Sequence, residues 1–171
     1  MNTSNTNITF KGNPTTVRGK ALTVGATLPK FKLVGTDMKD VTNETFAGKV
    51  LVLSVVPSLD TPVCSIQTKH LSQDAAEFGD KAVVLTVSLD LPFAQKRWCG
   101  AEGVTNVVTA SDYKYRNFGD DFGAYLTDLG LLARALFVVD QAGTIRHLEY
   151  VPEVAQEPDY NAALKVVREL L

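Results

Sequence analysis

Cysteine is scarce in this chain, and so is histidine: two of each in 171 residues. That excludes a disulfide scaffold, which needs a dense set of cysteines in a small domain. His70 and His147 are the only histidines, and no close pair of Cys or His ligands occurs, so no zinc site is expected. No apolar run approaches the roughly 20 residues that span a bilayer. No long block of one charge occurs and the net charge is −2, which argues against a nucleic-acid or anionic-membrane partner. The start, Met1 to Asn7, is polar and uncharged and lacks the basic flank and apolar stretch of a signal peptide. A cytoplasmic protein is the expectation. Internal repeats, low-complexity stretches and linkers are also lacking, so residues 1–171 are read as one domain.

What is present is ordinary globular composition, 45% hydrophobic and 21% charged, with enough chain for a substantial core. The organising stretch is Pro57-Ser58-Leu59-Asp60-Thr61-Pro62-Val63-Cys64. It follows the apolar run Val50 to Val56, which reads as a buried strand, and precedes an amphipathic helix over Ser65 to Phe78. Thr61 suits the N-cap and Pro62 the first helical position. Cys64 then falls at the third position, among backbone N–H groups without intrahelical partners and at the positive end of the helix dipole. Both favour a thiolate, the nucleophilic form of cysteine. Helical phase places Val63, Ile66, Leu71, Ala75 and Phe78 on one arc with Cys64. A small buried hydrophobe is the competing reading of such a cysteine.

Taken in order, Ile8–Lys11 and Thr15–Arg18 alternate as strands around a Gly12-Asn13-Pro14 turn, predicting an N-terminal hairpin. Phe31 to Val34 reads as a strand. Lys81 to Ser88 is a second buried strand, making a βαβ unit with parallel strands around the Cys64 helix. Asp90 is a cap candidate for a helix that passes through Trp98 and Cys99 and stops at Gly100. A short strand is expected over Val104–Thr109, and weak helical character over Ser111–Gly123. A buried strand at Ala135–Val139 follows Arg134, and Gln141–Thr144 turns it into Ile145–Val151. Asp159 caps a final helix. The pattern is α/β: a central mixed sheet with helices on both faces.

Pro57, Thr61 and Cys64 form the Pro-x-x-x-Thr-x-x-Cys pattern of peroxiredoxins. The wider run, with Asp90-Leu91-Pro92-Phe93-Ala94-Gln95 leading to Cys99, Ala133-Arg134-Ala135 and Glu157-Pro158-Asp159-Tyr160, closely resembles the bacterial thiol peroxidase branch. The resemblance runs from the hairpin to the C-terminus, departing over 111–132 and at Trp98. It implies a thioredoxin-like fold with an N-terminal β-hairpin extension. It implies reduction of hydrogen peroxide and organic (alkyl or lipid) hydroperoxides without metal, haem or flavin, in antioxidant defence and redox homeostasis. Cys64 would be peroxidatic and Cys99 resolving, joined in an intramolecular disulfide; Thr61, Arg134 and Pro57 would complete the site. A homodimer recycled by thioredoxin is implied too. Since a disulfide needs Cα atoms roughly 4.4–6.8 Å apart, the helix start at Cys64 or the helix end at Cys99 is expected to unwind in turnover. Two other readings of the same residues stay open: a redox sensor using the same pair, and a thioredoxin-like module with inert cysteines. For Arg134, Thr61 and Pro57 the plain readings are a strand-end charge, a cap and a strand terminator.

Overall fold

A computed structural model describes residues 7–171. The polar start before Asn7 lies outside the described residues. In chain order the strands are β1 (Ile8–Phe10), β2 (Asn13–Thr15), β3 (Val17–Arg18), β4 (Lys32–Gly35), β5 (Asp40–Thr42), β6 (Val50–Val55), β7 (Ala82–Ser88), β8 (Val108–Ser111), β9 (Tyr125–Leu126), β10 (Leu131–Leu132), β11 (Ala135–Val139) and β12 (Ile145–Tyr150). The α-helices are α1 (Pro62–Phe78), α2 (Pro92–Glu102), α3 (Phe118–Asp121) and α4 (Tyr160–Leu170).

Seven strands form one mixed sheet in the order β12-β11-β6-β7-β8-β4-β5. β6, β7 and β8 run parallel, as the βαβ reading requires; the other pairings are antiparallel. β6 and β11 are buried at every position, which is why they read as continuous apolar runs and not as alternating ones. The two faces of the sheet are covered unequally. Val50, Val52, Val84, Leu136 and Val138 pack with residues of α1, α2 and α4. Leu51, Leu53, Val55, Leu85 and Phe137 pack on the other side with Phe31, Phe118 and Phe122. There the only helix among the described residues' α-helices is the single turn α3, so loops do most of the covering.

That second face is where residues 111–132 belong. β9 and β10 join β3 in a small antiparallel sheet, and Arg18 holds Asp120 through two hydrogen bonds, at 2.5 and 3.1 Å. Phe118 and Phe122 stack with centroids 4.0 Å apart. Gly123 is required at φ +61, since a Cβ would lie 2.5 Å from the Lys20 carbonyl oxygen. Asp112 opens the segment and is almost fully buried. Burial pushes its carboxyl up to about 6, against the pull of backbone N–H groups of residues 116–119. The unfolded chain, near 3.8, releases that proton first as pH rises, so stability falls between about pH 4 and 6 and is level above. Asp112→Asn should therefore gain on wild type across that window by up to about 3 kcal/mol, read as the difference in Tm at pH 4 and pH 7.

Several boundaries differ from the sequence reading. The hairpin turn is Lys11-Gly12, both at positive φ, and Asn13-Pro14 belong to β2. β2 ends at Thr15, and β3 pairs with β9 instead of β1. α2 continues through Gly100 to Glu102 because Gly103, left-handed at φ 66, is the residue that closes it. The strand expected over Val104–Thr109 starts at Val108, where pairing with β7 begins. On α1 the buried face is Cys64, Gln67, Thr68, Leu71 and Phe78, while Ile66 is half exposed. Two polar residues sit on the buried side, so apolar spacing alone put the face in the wrong phase.

Candidate active site

Cys64 is the third residue of α1, after the N-cap Thr61 and Pro62. It lies at the carboxyl end of β6, which enters the loop through Pro57, itself buried. Its sulfur is fully buried and accepts a hydrogen bond from Arg134 Nη2 at 3.3 Å. Arg134 lies between β10 and β11 with 2% exposure. Its guanidinium also donates from Nη1 to Gln67 Oε1 at 2.8 Å and from Nε to the Val154 carbonyl at 2.8 Å. Gln67 is anchored in turn by donating to Ser54 Oγ at 2.8 Å.

The acceptors of this cation decide its chemistry. None of the ion pairs among the described residues involves Arg134. A buried, unneutralised guanidinium is costly, because its lost hydration is only partly replaced by neutral dipoles. Carbonyl and amide oxygens satisfy two of its donor edges; the third faces sulfur. The group best able to neutralise the charge is a thiolate there. The orphan N–H groups of the first turn of α1 act in the same direction.

The loop before α1 is held by a second polar network. Asp90 accepts from Ser58 Oγ at 2.6 Å, from Leu59 N at 2.8 Å and from Ser88 Oγ at 2.7 Å. Asp90 was read as the cap of α2. The cap position is Leu91, and Asp90 instead ties the loop carrying Pro57 to the carboxyl end of β7. Thr61 occupies the N-cap, yet its hydroxyl caps no helical N–H. It donates to the Ser58 carbonyl at 2.8 Å, tightening the same loop. Thr61 is exposed and makes no hydrogen bond to Cys64 in this state.

Cys99 stands apart from this cluster. It is a free thiol on α2, partly buried, 4.0 Å from Thr109 Oγ1. Burial pushes its thiol up, so it stays protonated near neutral pH. It lines a cleft of about 380 Å³ with Lys96 and residues of the 104–109 segment. Cys64 is likewise free, so the structure is the dithiol form. Of the five site residues expected, Cys64 and Arg134 are in direct contact, Pro57 and Thr61 shape the entry loop, and Cys99 is on a separate helix. Gln67, Ser54 and the Val154 carbonyl escaped sequence reading. Ser54 left a trace, as a polar residue within the buried run of β6, whereas Gln67 stands among mostly polar neighbours and left none.

The Redoxin family profile matches residues 23–164. A thiol peroxidase of Listeria monocytogenes serotype 4b (strain F2365) is 47% identical over 163 residues, covering 95% of this chain and 98% of that one. A thiol peroxidase of Streptococcus sanguinis is 48% identical over 162 residues, covering 95% and 99%. Among solved structures, a peroxiredoxin-like protein from Aquifex aeolicus matches with TM-score 0.90 at 38% identity, covering 96% of this chain and 97% of that one.

Proposed function

Since the chain belongs to the Redoxin family and, within it, to the bacterial thiol peroxidases, we propose that Cys64 is the residue on which this peroxidase reduces peroxide, with Cys99 as its resolving partner. The enzyme carries out thiol-dependent peroxide reduction. The observation that carries the assignment is the 3.3 Å contact between Arg134 and the Cys64 sulfur, in a site with no acidic partner for the arginine among the described ion pairs.

The reaction is a displacement at oxygen. The Cys64 thiolate attacks the outer peroxide oxygen; an S–O bond forms and the O–O bond breaks. Hydroxide or alkoxide leaves and takes a proton. Arg134 already lies against sulfur and can donate to the oxygens as charge moves onto them. Thr61 supplies a hydroxyl at the mouth of the site. Pro57 lines the loop without a competing N–H. Cys64 is covered in the dithiol state, so peroxide enters as the loop 57–61 and the first turn of α1 loosen. The Cys99 thiol then attacks the sulfenic sulfur; an S–S bond forms and water leaves.

Both hydrogen peroxide and organic hydroperoxides are substrates on this reading, because Arg134 and Cys64 act on the O–O unit that the two share. Thioredoxin, a dithiol, is the reductant that returns the disulfide to the dithiol. A homodimer would give cover to the exposed apolar side chains near the starts of α1 and α2, where Ile66, Leu91 and Phe93 are 50%, 52% and 67% exposed. No described helix is long and apolar enough to cross a membrane.

One equivalent of hydrogen peroxide should convert the protein to a species lighter by two hydrogens, with Cys64 and Cys99 joined in one peptide on non-reducing digestion. An unchanged mass, or a crosslink only between chains, would remove the intramolecular scheme. A redox sensor would form the same crosslink but would show no sustained turnover with a thioredoxin system.

A further inference from the structure

The N-terminal hairpin reaches the reacting sulfur through one residue, Val154. β1 runs beside residues 152–154: Thr9 N donates to the Pro152 carbonyl at 2.8 Å, and Val154 N donates to the Thr9 carbonyl at 2.9 Å. Glu153 closes this contact like a clasp. Its Oε2 accepts from Thr9 Oγ1 at 2.6 Å and from Gly12 N at 3.0 Å. Its Oε1 accepts from Lys11 N at 2.8 Å and from Ala155 N at 3.1 Å. Lys11 and Gly12 have φ 51 and 80, and this turn aims both N–H groups at one carboxylate. These donors hold the carboxyl down to about 2, so the clasp is charged and closed at any working pH.

The residue that follows is Val154, 2% exposed. Its N–H is held by the hairpin, and its carbonyl accepts from Arg134 Nε at 2.8 Å. The same guanidinium reaches Cys64 with Nη2. A planar guanidinium is oriented by the sum of its acceptors, and loss of one lets it rotate about the others.

We infer that Glu153 is a positioning residue for peroxide reduction, holding the Val154 carbonyl, and through it Arg134, against Cys64. Glu153 touches neither sulfur nor the guanidinium, and it acts only through them. The inference rests on Arg134 serving Cys64. A carboxylate that merely fastened the hairpin would change the melting temperature and leave the chemistry alone.

The test is a mutant cycle read by stopped-flow oxidation with hydrogen peroxide, all in a Cys99→Ser background so that only the first step is seen. Arg134→Ala should slow oxidation about 100-fold or more. Glu153→Ala should slow it about tenfold, a partial misplacement of the donor. The double variant should be no slower than Arg134→Ala alone, because the effect of Glu153 passes through the missing group. Thr9→Val, which removes one donor and keeps the backbone pairing, should slow oxidation about twofold and lose that effect beside Arg134→Ala. Should Glu153→Ala fail to fold, Thr9→Val and Glu153→Gln carry the same cycle. Folded Glu153→Ala protein reacting at the full rate would overturn the inference, as would an equal slowing with and without Arg134. An unchanged rate in Arg134→Ala would instead overturn the reading beneath it.

Discussion

Cys64→Ser should consume no peroxide above the buffer background, with or without a thioredoxin system. The substitution keeps nearly the same shape and leaves an acceptor for Arg134 Nη2. It removes the two properties on which the reaction depends. A serine hydroxyl is not ionised near neutral pH by a neighbouring cation, and its oxygen cannot take up a peroxide oxygen as sulfur does. The variant should also be less stable, because Arg134 remains buried at 2% exposure with no anion beside it. Removing one partner of a buried pair leaves the other charge uncompensated, typically at about 3–5 kcal/mol. Urea denaturation of the dithiol wild type and Cys64→Ser at pH 7 measures this; a peroxide electrode measures the activity. The two readouts together discriminate between readings. If Cys64 were an inert packing residue, Cys64→Ser would leave both peroxide consumption and the Arg134 environment almost unchanged.

Much of this arrangement was legible in the chain before any coordinates. Apolar runs at Val50–Val56 and Ala135–Val139 marked two adjacent interior strands, because strands buried on both faces show no alternation. Thr61-Pro62 fixed the start of α1, and so the position of Cys64 at its third residue. Arg134 was singled out by its resemblance context; that it reaches Cys64 is a tertiary fact, since 70 positions separate them. Residues 111–132 resisted reading for a physical reason. Their two-residue strands and single helical turn have no period of their own, and they are shaped by β3 and by contact with Phe31. Asp90 was misassigned because an aspartate just before Leu-Pro looks like a cap, whereas its acceptors are claimed by Ser58, Leu59 and Ser88. Gln67 was missed because a polar residue inside an amphipathic helix is ordinarily assigned to solvent, and here it faces a buried cation that needs an acceptor.

Cys99→Ser should separate the two halves of the cycle. The first oxidation should proceed at the wild-type rate, because Cys99 contributes nothing to the Arg134 cluster; its described partner is Thr109. The sulfenic acid at Cys64 should then persist, react with a carbon acid such as dimedone, and pass to the sulfinic acid under excess peroxide. Sustained turnover with thioredoxin should fall by about 100-fold or more, since an encounter between molecules replaces an intramolecular attack. In the dithiol structure Cys99 is poorly disposed to react with peroxide itself. Burial keeps that thiol protonated, and thiols react through the thiolate. On the proposed scheme, Cys99 should become a nucleophile when it leaves its place beside Thr109. The end of α2 is suited to release it. Gly100 follows Cys99 directly, a residue that weakens a helix by about 1 kcal/mol relative to alanine. Beyond it, the Cys99 carbonyl is held by the amides of Gly103 and Val104. At the other end, Gln95 anchors α2 to the sheet through the Ala110 carbonyl at 2.9 Å and Ser88 at 3.1 Å. Unwinding should therefore be confined to the turn past Cys99, and amide exchange should show it: faster at residues 99–104 in the disulfide than in the dithiol, with residues near Gln95 unchanged. Normal turnover by Cys99→Ser would mean that another thiol resolves Cys64, and equal protection of that turn in both states would move the unwinding to the start of α1.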